Sequence, residues 1–328
     1  MSGSAPAVPV EFPAPLLPVH TSGERDVRAR VRAYFEHLQD HICSGLAGIE
    51  PQASFHEDQW CYEGGGGGRT RILQNGAVFE KAGVNFSAIE GSLPASIAVK
   101  MQVGTDPFFA TGVSLVIHPL SPMAPIVHMN VRYFEQSSGK WWFGGGMDLT
   151  PCYPFIEDIR HFHETLRSAC DKHNRSYYSR FKKWCDEYFL IKHRNETRGV
   201  GGIFFDHLRG NPASDFAFIR EVGEAFLPAY LPIVERRCTM PYGQRERTFQ
   251  LIRRARYVEF NLVYDRGTAF GLETQGRVES ILMSLPPIVH WPYGWSPEPG
   301  SREAELSHYL VPRDWLNLDG QESDRKAV

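Results

Sequence analysis

Between residues 95 and 147 four strand-like segments follow one another, at 96–103, 111–118, 125–136 and 140–143. The stretches that join them are short and rich in Pro, Gly and Ser. A parallel neighbour needs a crossover of about a dozen residues or more, so these neighbours are expected to pair antiparallel. Helical patterns flank them. Val27, Val31, Phe35, Leu38 and Ile42 recur at helical spacing within 26–46. Helices are further expected at 154–173, 175–193 and 213–237, with one more ending near Arg254 and a short one near 302–310. A Gly-rich turn, Arg198 to Gly202, leads into Ile203, Phe204 and Phe205. Strands are expected again at 256–264 and 278–284. Strands, then helices, then strands again predict an α+β fold with an antiparallel sheet covered by helices. No internal repeat or linker interrupts 25–315, which predicts a single domain at 26–315, a flexible arm at 1–25 and a polar tail at 316–328.

Composition excludes several classes. The formal net charge is −3 and no basic run occurs, so nucleic acid is not an expected partner. An anionic ligand has to be met by local arginines. The six cysteines, Cys43, Cys61, Cys152, Cys170, Cys185 and Cys238, form no C-x-x-C pair and match no zinc or iron–sulfur spacing. They read as reduced thiols, and a cytoplasmic protein is expected. No Lys or Arg precedes Arg25, which disfavours a secretory or transit signal in the proline-rich arm. No apolar run approaches the roughly 20 residues of a transmembrane helix. The run Gly64 to Gly68 lacks the context of a phosphate-binding loop and reads as a hairpin connection or lid.

The most informative segment is 125–134. Its alternation puts Val127, Met129, Val131 and Tyr133 on one face and Ile126, His128, Asn130, Arg132 and Phe134 on the other. In the preceding strand Ser114, Val116 and His118 oppose Val113, Leu115 and Ile117. If the two strands pair, Ser114, His118, His128, Asn130 and Arg132 share one face. A solvated sheet face is the plain alternative, but such faces are normally Thr, Lys and Glu. His, Asn, Arg and Ser are donors suited to oxyanions and proton transfer. His161 and His163 lie on one helix and His193 closes the next. Buried histidines bonded to carbonyls are the simpler reading of these rings; a four-histidine metal site is the alternative. In 256–277, Asp265, Arg266, Gly267 and Thr268 resemble a turn, in which the carboxylate and guanidinium either cap the chain or face a ligand.

Several long stretches are familiar together: VHMNVRYFE (127–135), WWFGGGMDLTP (141–151), FKKWCDEYF (181–189), HRNETRGVGGIFFD (193–206) and RRARYVEFNLVYDRGTAFGLETQGRVESILMSLPP (253–287). With them the chain resembles the oxygen-dependent coproporphyrinogen III oxidase family from about residue 26 to 315. The resemblance implies a large flat antiparallel sheet sandwiched by helices on both faces, and a homodimer. It implies coproporphyrinogen III as substrate, protoporphyrinogen IX as product and O2 as co-substrate, with no required cofactor. It marks His128 as proton donor, Asp265 and Arg266 as catalytic candidates, and Ser114, Asn130, Arg132, Gln275, Gly276 and Arg277 as substrate contacts. Bacterial relatives are described with a divalent metal on four histidines, which here fall on His118, His128, His163 and His193. The bacterial form has Gly where this chain has Gln275, so a contact there has to come from the backbone. The rival readings are a non-catalytic tetrapyrrole carrier and a metal-dependent oxygenase built on the four histidines.

Overall fold

In the computed structural model, which describes residues 22–93, 95, 98–99, 103–273 and 276–317, six strands pair in the order of the chain. They are β1 (His56–Cys61), β2 (Gly66–Gln74), β3 (Phe79–Ser92), β4 (Pro107–Pro119), β5 (Ile126–Gln136) and β6 (Trp141–Thr150). A short antiparallel pair, β7 (Leu190–Ile191) and β8 (Glu196–Thr197), stands apart, and β9 (Gly201–Leu208) completes the seven-stranded sheet beside β6. Every neighbour in the described sheet is antiparallel; short connections demand this from β4 to β6, while β9 returns to β6 only after two helices and the β7–β8 pair. Gly65 and Gly66 carry φ values of 126° and 77° at the β1–β2 turn, which is how the glycine run closes a hairpin.

One sheet face carries Val113, Leu115, Val127, Met129, Val131, Met147, Ile203 and Phe205, all buried in the main core. Side chains of α1 (Ser22–Ile49), α2 (Ile156–Asp171), α4 (Pro212–Glu224) and α5 (Phe226–Arg237) fill that core. α3 (Tyr177–Tyr188) runs beside β9 and sends Phe181 into it. The opposite face is covered by α6 (Gln244–Val263), α7 (Arg266–Glu273) and α8 (Val278–Leu282). Tyr257 of α6 packs on Val116, Phe260 on Phe204, and Ser280 of α8 bonds Thr70 and Asn85. α9 (Arg302–Glu305) follows near the end of the described chain. The architecture is therefore α+β, a single domain with helices against both sheet faces.

Two expected strands are not strands, and a third falls largely outside the described residues. The stretch 256–264 is the last part of α6, a helix that runs twenty residues without Gly or Pro. Arg254, Tyr257, Val258 and Asn261 face inward at helical spacing, while Leu262 is left 53% exposed, where alternation would have buried it. The stretch 278–284 begins with the single-turn helix α8. Within 96–103, Ala98 and Val99 are helical, and 96, 97 and 100–102 lie outside the described residues. The helix expected at 213–237 is two, joined at Ala225. The proposed arm lies almost wholly outside the described residues, as does all but the start of the proposed tail, and α1 already begins at Ser22.

Candidate active site

The face under α6, α7 and α8 carries the polar residues expected from alternation. The register sets Ser114 opposite Asn130, Val116 opposite His128 and Gly112 opposite Arg132. It continues through Asn130 to Gly146, His128 to Asp148 and Arg132 to Gly144. Because directly opposed residues in an antiparallel ladder point to the same side, these side chains share one surface. It is not a solvated face: Asp148 is 2% exposed and His128 19%, while Arg132 keeps 33%. What remains is a partly covered sheet face with a polar floor, in which glycines at 112, 144 and 146 leave the strand surface low. A Cβ on Gly144 would stand 2.7 Å from Arg132 Nη2 and 2.6 Å from Asp206 Oδ1, so glycine there makes room for that pair.

His128 is held from behind. Its Nδ1 lies 2.8 Å from Asp148 Oδ1. Arg198 donates to both oxygens of Asp148 from Nη2, at 2.7 and 2.8 Å, and from Nη1 to Asn261 Oδ1 at 2.9 Å. The Arg198 guanidinium lies over the rings of Phe189, Tyr257 and Phe260, at 4.0, 4.6 and 4.9 Å from their centroids. Burial alone would raise the Asp148 carboxyl, but the Arg198 charge and the His128 bond outweigh it and hold the group below the usual carboxylate range. Burial opposes the Arg198 charge too, and the Asp148 carboxylate more than restores it. Asp148 is thus an acceptor only, so Nδ1 of His128 carries the hydrogen and Nε2, which bonds nothing among the described residues, is left free to accept. Removing one partner of a buried ion pair costs about 3–5 kcal/mol, which makes Asp148 and Arg198 a fixed support.

Arg132 is pre-set in a similar way. Its Nη1 donates to Asn130 Oδ1 at 2.6 Å and its Nη2 lies 3.0 Å from Asp206 Oδ2. Burial would raise the Asp206 carboxyl, while the Arg132 charge and the His207 N–H hold it down. Asp148, Arg198, Asn261 and Asp206 were not anticipated from the sequence. Asp148 and Asp206 each stand in a quoted motif, but their partners are fixed by cross-strand register, which spacing along the chain does not encode.

Asp265 caps α7. Its Oδ2 accepts Thr268 N at 2.7 Å and Thr268 Oγ1 at 2.9 Å, and its Oδ1 accepts the Tyr188 hydroxyl at 2.9 Å. This is the geometry of an N-cap carboxylate. A carboxylate has about four acceptor sites, so one on Oδ1 is left. Arg266 is exposed, with its guanidinium 4.9 Å from the Tyr188 ring centroid. Arg277 precedes α8 and pairs with Asp58 of β1. Gly276 donates to Gly271 O at 2.8 Å. Gln275 lies outside the described residues.

The four histidines are not brought together. His118 is fully buried, with Nε2 2.9 Å from Ser284 O and Nδ1 unpartnered. His163 lies in the layer across the sheet, where both nitrogens are engaged, by Tyr178 Oη at 2.9 Å and Val200 O at 3.1 Å. His193 bonds Tyr264 Oη and Glu259 Oε2, both at 2.7 Å. Among the described residues no three His, Cys, Asp or Glu side chains converge as a metal would require. This arrangement does not fit a four-histidine centre within one chain.

A sheet face with a tautomer-fixed imidazole, an arginine fork and a low glycine floor suits a flat polyanion. The family description that matches this chain is coproporphyrinogen III oxidase, over residues 30–315. The match spans the whole sheet and every candidate site residue. The chain belongs to the coproporphyrinogen III oxidase family, whose members serve haem biosynthesis.

Proposed function

We propose that this protein converts two propionate side chains of coproporphyrinogen III to vinyl groups, with O2 as oxidant and protoporphyrinogen IX as product. One observation carries the reading: His128, backed by Asp148, and Arg132 lie on one sheet face, so a proton acceptor and a carboxylate fork point to the same side. For each side chain, R–CH2–CH2–COO⁻, O2 and H⁺ give R–CH=CH2, CO2 and H2O2. The β-carbon hydrogen leaves as a proton to His128 Nε2 and the carboxylate leaves as CO2. Two electrons pass through the electron-rich ring to oxygen. The remaining acceptor site of Asp265 takes a pyrrole N–H, which raises ring electron density. Burying an unpaired carboxylate costs several kcal/mol, so Arg132, Arg266 and Arg277 meet the propionates that enter the site. Ser114 and Asn130 donate from the floor, and Gly276 presents backbone beside Arg277.

The test is product analysis. Purified protein, coproporphyrinogen III and air should give the divinyl product in many turnovers. A carrier would instead bind one equivalent and return the substrate unchanged, which is the outcome that rejects the proposal.

A further inference from the structure

The three arginines differ in how their charge is already met. Arg266 has no carboxylate partner among the described residues. Arg277 pairs with Asp58, whose side chain is 39% exposed. Arg132 shares its fork with Asp206, which is 17% exposed and further tied by the His207 N–H to Oδ1 at 2.9 Å. Asp206 is therefore a resident counter-charge, while Asp58 stands half in water.

That difference matters for a reaction that expels CO2. A carboxylate clamped by an unshared guanidinium is stabilised as carboxylate, and loss of CO2 forfeits that stabilisation. A carboxylate that shares its guanidinium with Asp206 is oriented by the fork yet held less tightly. Arg132 also stands on the same strand face as His128, about 13 Å along the strand at ~3.3 Å per residue, a gap that an arginine stem and a propionate arm span together. Arg266 sits instead at the start of α7, over Tyr188.

We infer that Arg132 and Asp206 form the subsite of the propionate that is decarboxylated, with Asp206 as a positioning residue that keeps this carboxylate only partly neutralised. Arg266 anchors a propionate that survives the turnover. This rests on the oxidative decarboxylation proposed above. In the step, the β C–H and the C–COO⁻ bonds break, the carboxylate's electron pair forms the new C=C bond, and O2 accepts the two electrons of oxidation and becomes H2O2.

Asp206→Asn is nearly isosteric and keeps an acceptor for the His207 N–H. Anaerobic binding of coproporphyrinogen III should tighten on the order of tenfold, while kcat in air falls on the order of tenfold. A residue that only braces the fold cannot move these two in opposite directions. Asp206→Glu should bring kcat most of the way back. Arg266→Gln, which does not depend on the Asn variant folding, should raise KM several-fold and leave kcat within about twofold. Weaker binding together with slower turnover in a folded Asp206→Asn enzyme overturns the inference, as does a fall in kcat without a rise in KM for Arg266→Gln. A wild-type enzyme that binds coproporphyrinogen III and forms no vinyl product overturns the reaction itself, and this inference with it.

Discussion

Asp265 shows how one carboxylate can serve two ends. Two of its acceptor sites hold the first turn of α7 and a third takes the Tyr188 hydroxyl. The turn-capping reading of the sequence is thus present in the structure, and the proposed catalytic role rests on the acceptor site that is left. Asp265→Asn separates the two. Asn caps a helix about as well as Asp, so stability should fall by about 1 kcal/mol or less. If the charge drains a pyrrole proton in the transition state, kcat should fall far more than KM changes. Melting temperature and steady-state kinetics of this variant decide it: a folded enzyme with near-normal turnover reduces Asp265 to a cap. His128 was legible from the sequence because a strand exposes alternate residues and its neighbours on that face were unusual donors. Its support was not. Asp148 lies twenty residues away and Arg198 seventy, and they meet only through the β5–β6 register and the chain's return at β9.

At the scale of elements, β4 and β5 were legible because their two faces differ chemically all along their length. The stretch 256–264 was not. Tyr257, Glu259 and Asn261 alternate with Val258, Phe260 and Leu262 in sequence, yet the chain has been helical since Gln244 and the same residues form a helical stripe. Local alternation lost to helix continuity and to the packing of Tyr257 and Phe260 on the sheet. Those layers bury two histidines whose titration should be visible in stability. Burial, then the nearby Arg254 charge, pushes His118 well below its usual range, and burial with the Lys182 charge pushes His163 to about 3. Both folded-state values are depressed, so the unfolded chain takes up protons first as pH falls below about 6.5. The stability they contribute is present at neutral pH and is lost on acidification, on the order of 1 kcal/mol per pH unit for each histidine. Urea midpoints measured between pH 7.5 and 5 should fall accordingly. A flat profile would mean that these rings are protonated or solvated in the fold.

At the scale of the whole molecule, a sheet with helices on both faces carries one polar floor, with His128 and Arg132 on β5 and Asp265 at the head of α7, while Arg277 pairs with Asp58 on the edge strand β1. The histidines proposed as metal ligands are divided between its two layers. Activity is therefore expected to survive removal of metal. Protein stripped by a strong chelator, with metal loss confirmed by elemental analysis, should keep its turnover; restoration by one divalent ion alone would show that a site assembles in some other way. Among the described residues no helix is long and apolar enough to cross a membrane. In the proposed reaction oxygen takes the electrons released with each CO2. This is tested most directly by following CO2 release and O2 uptake together, with coproporphyrinogen III in air and under argon. One O2 should be consumed for each CO2, two of each per substrate, with no CO2 released without oxygen. Sustained CO2 release under argon would contradict it.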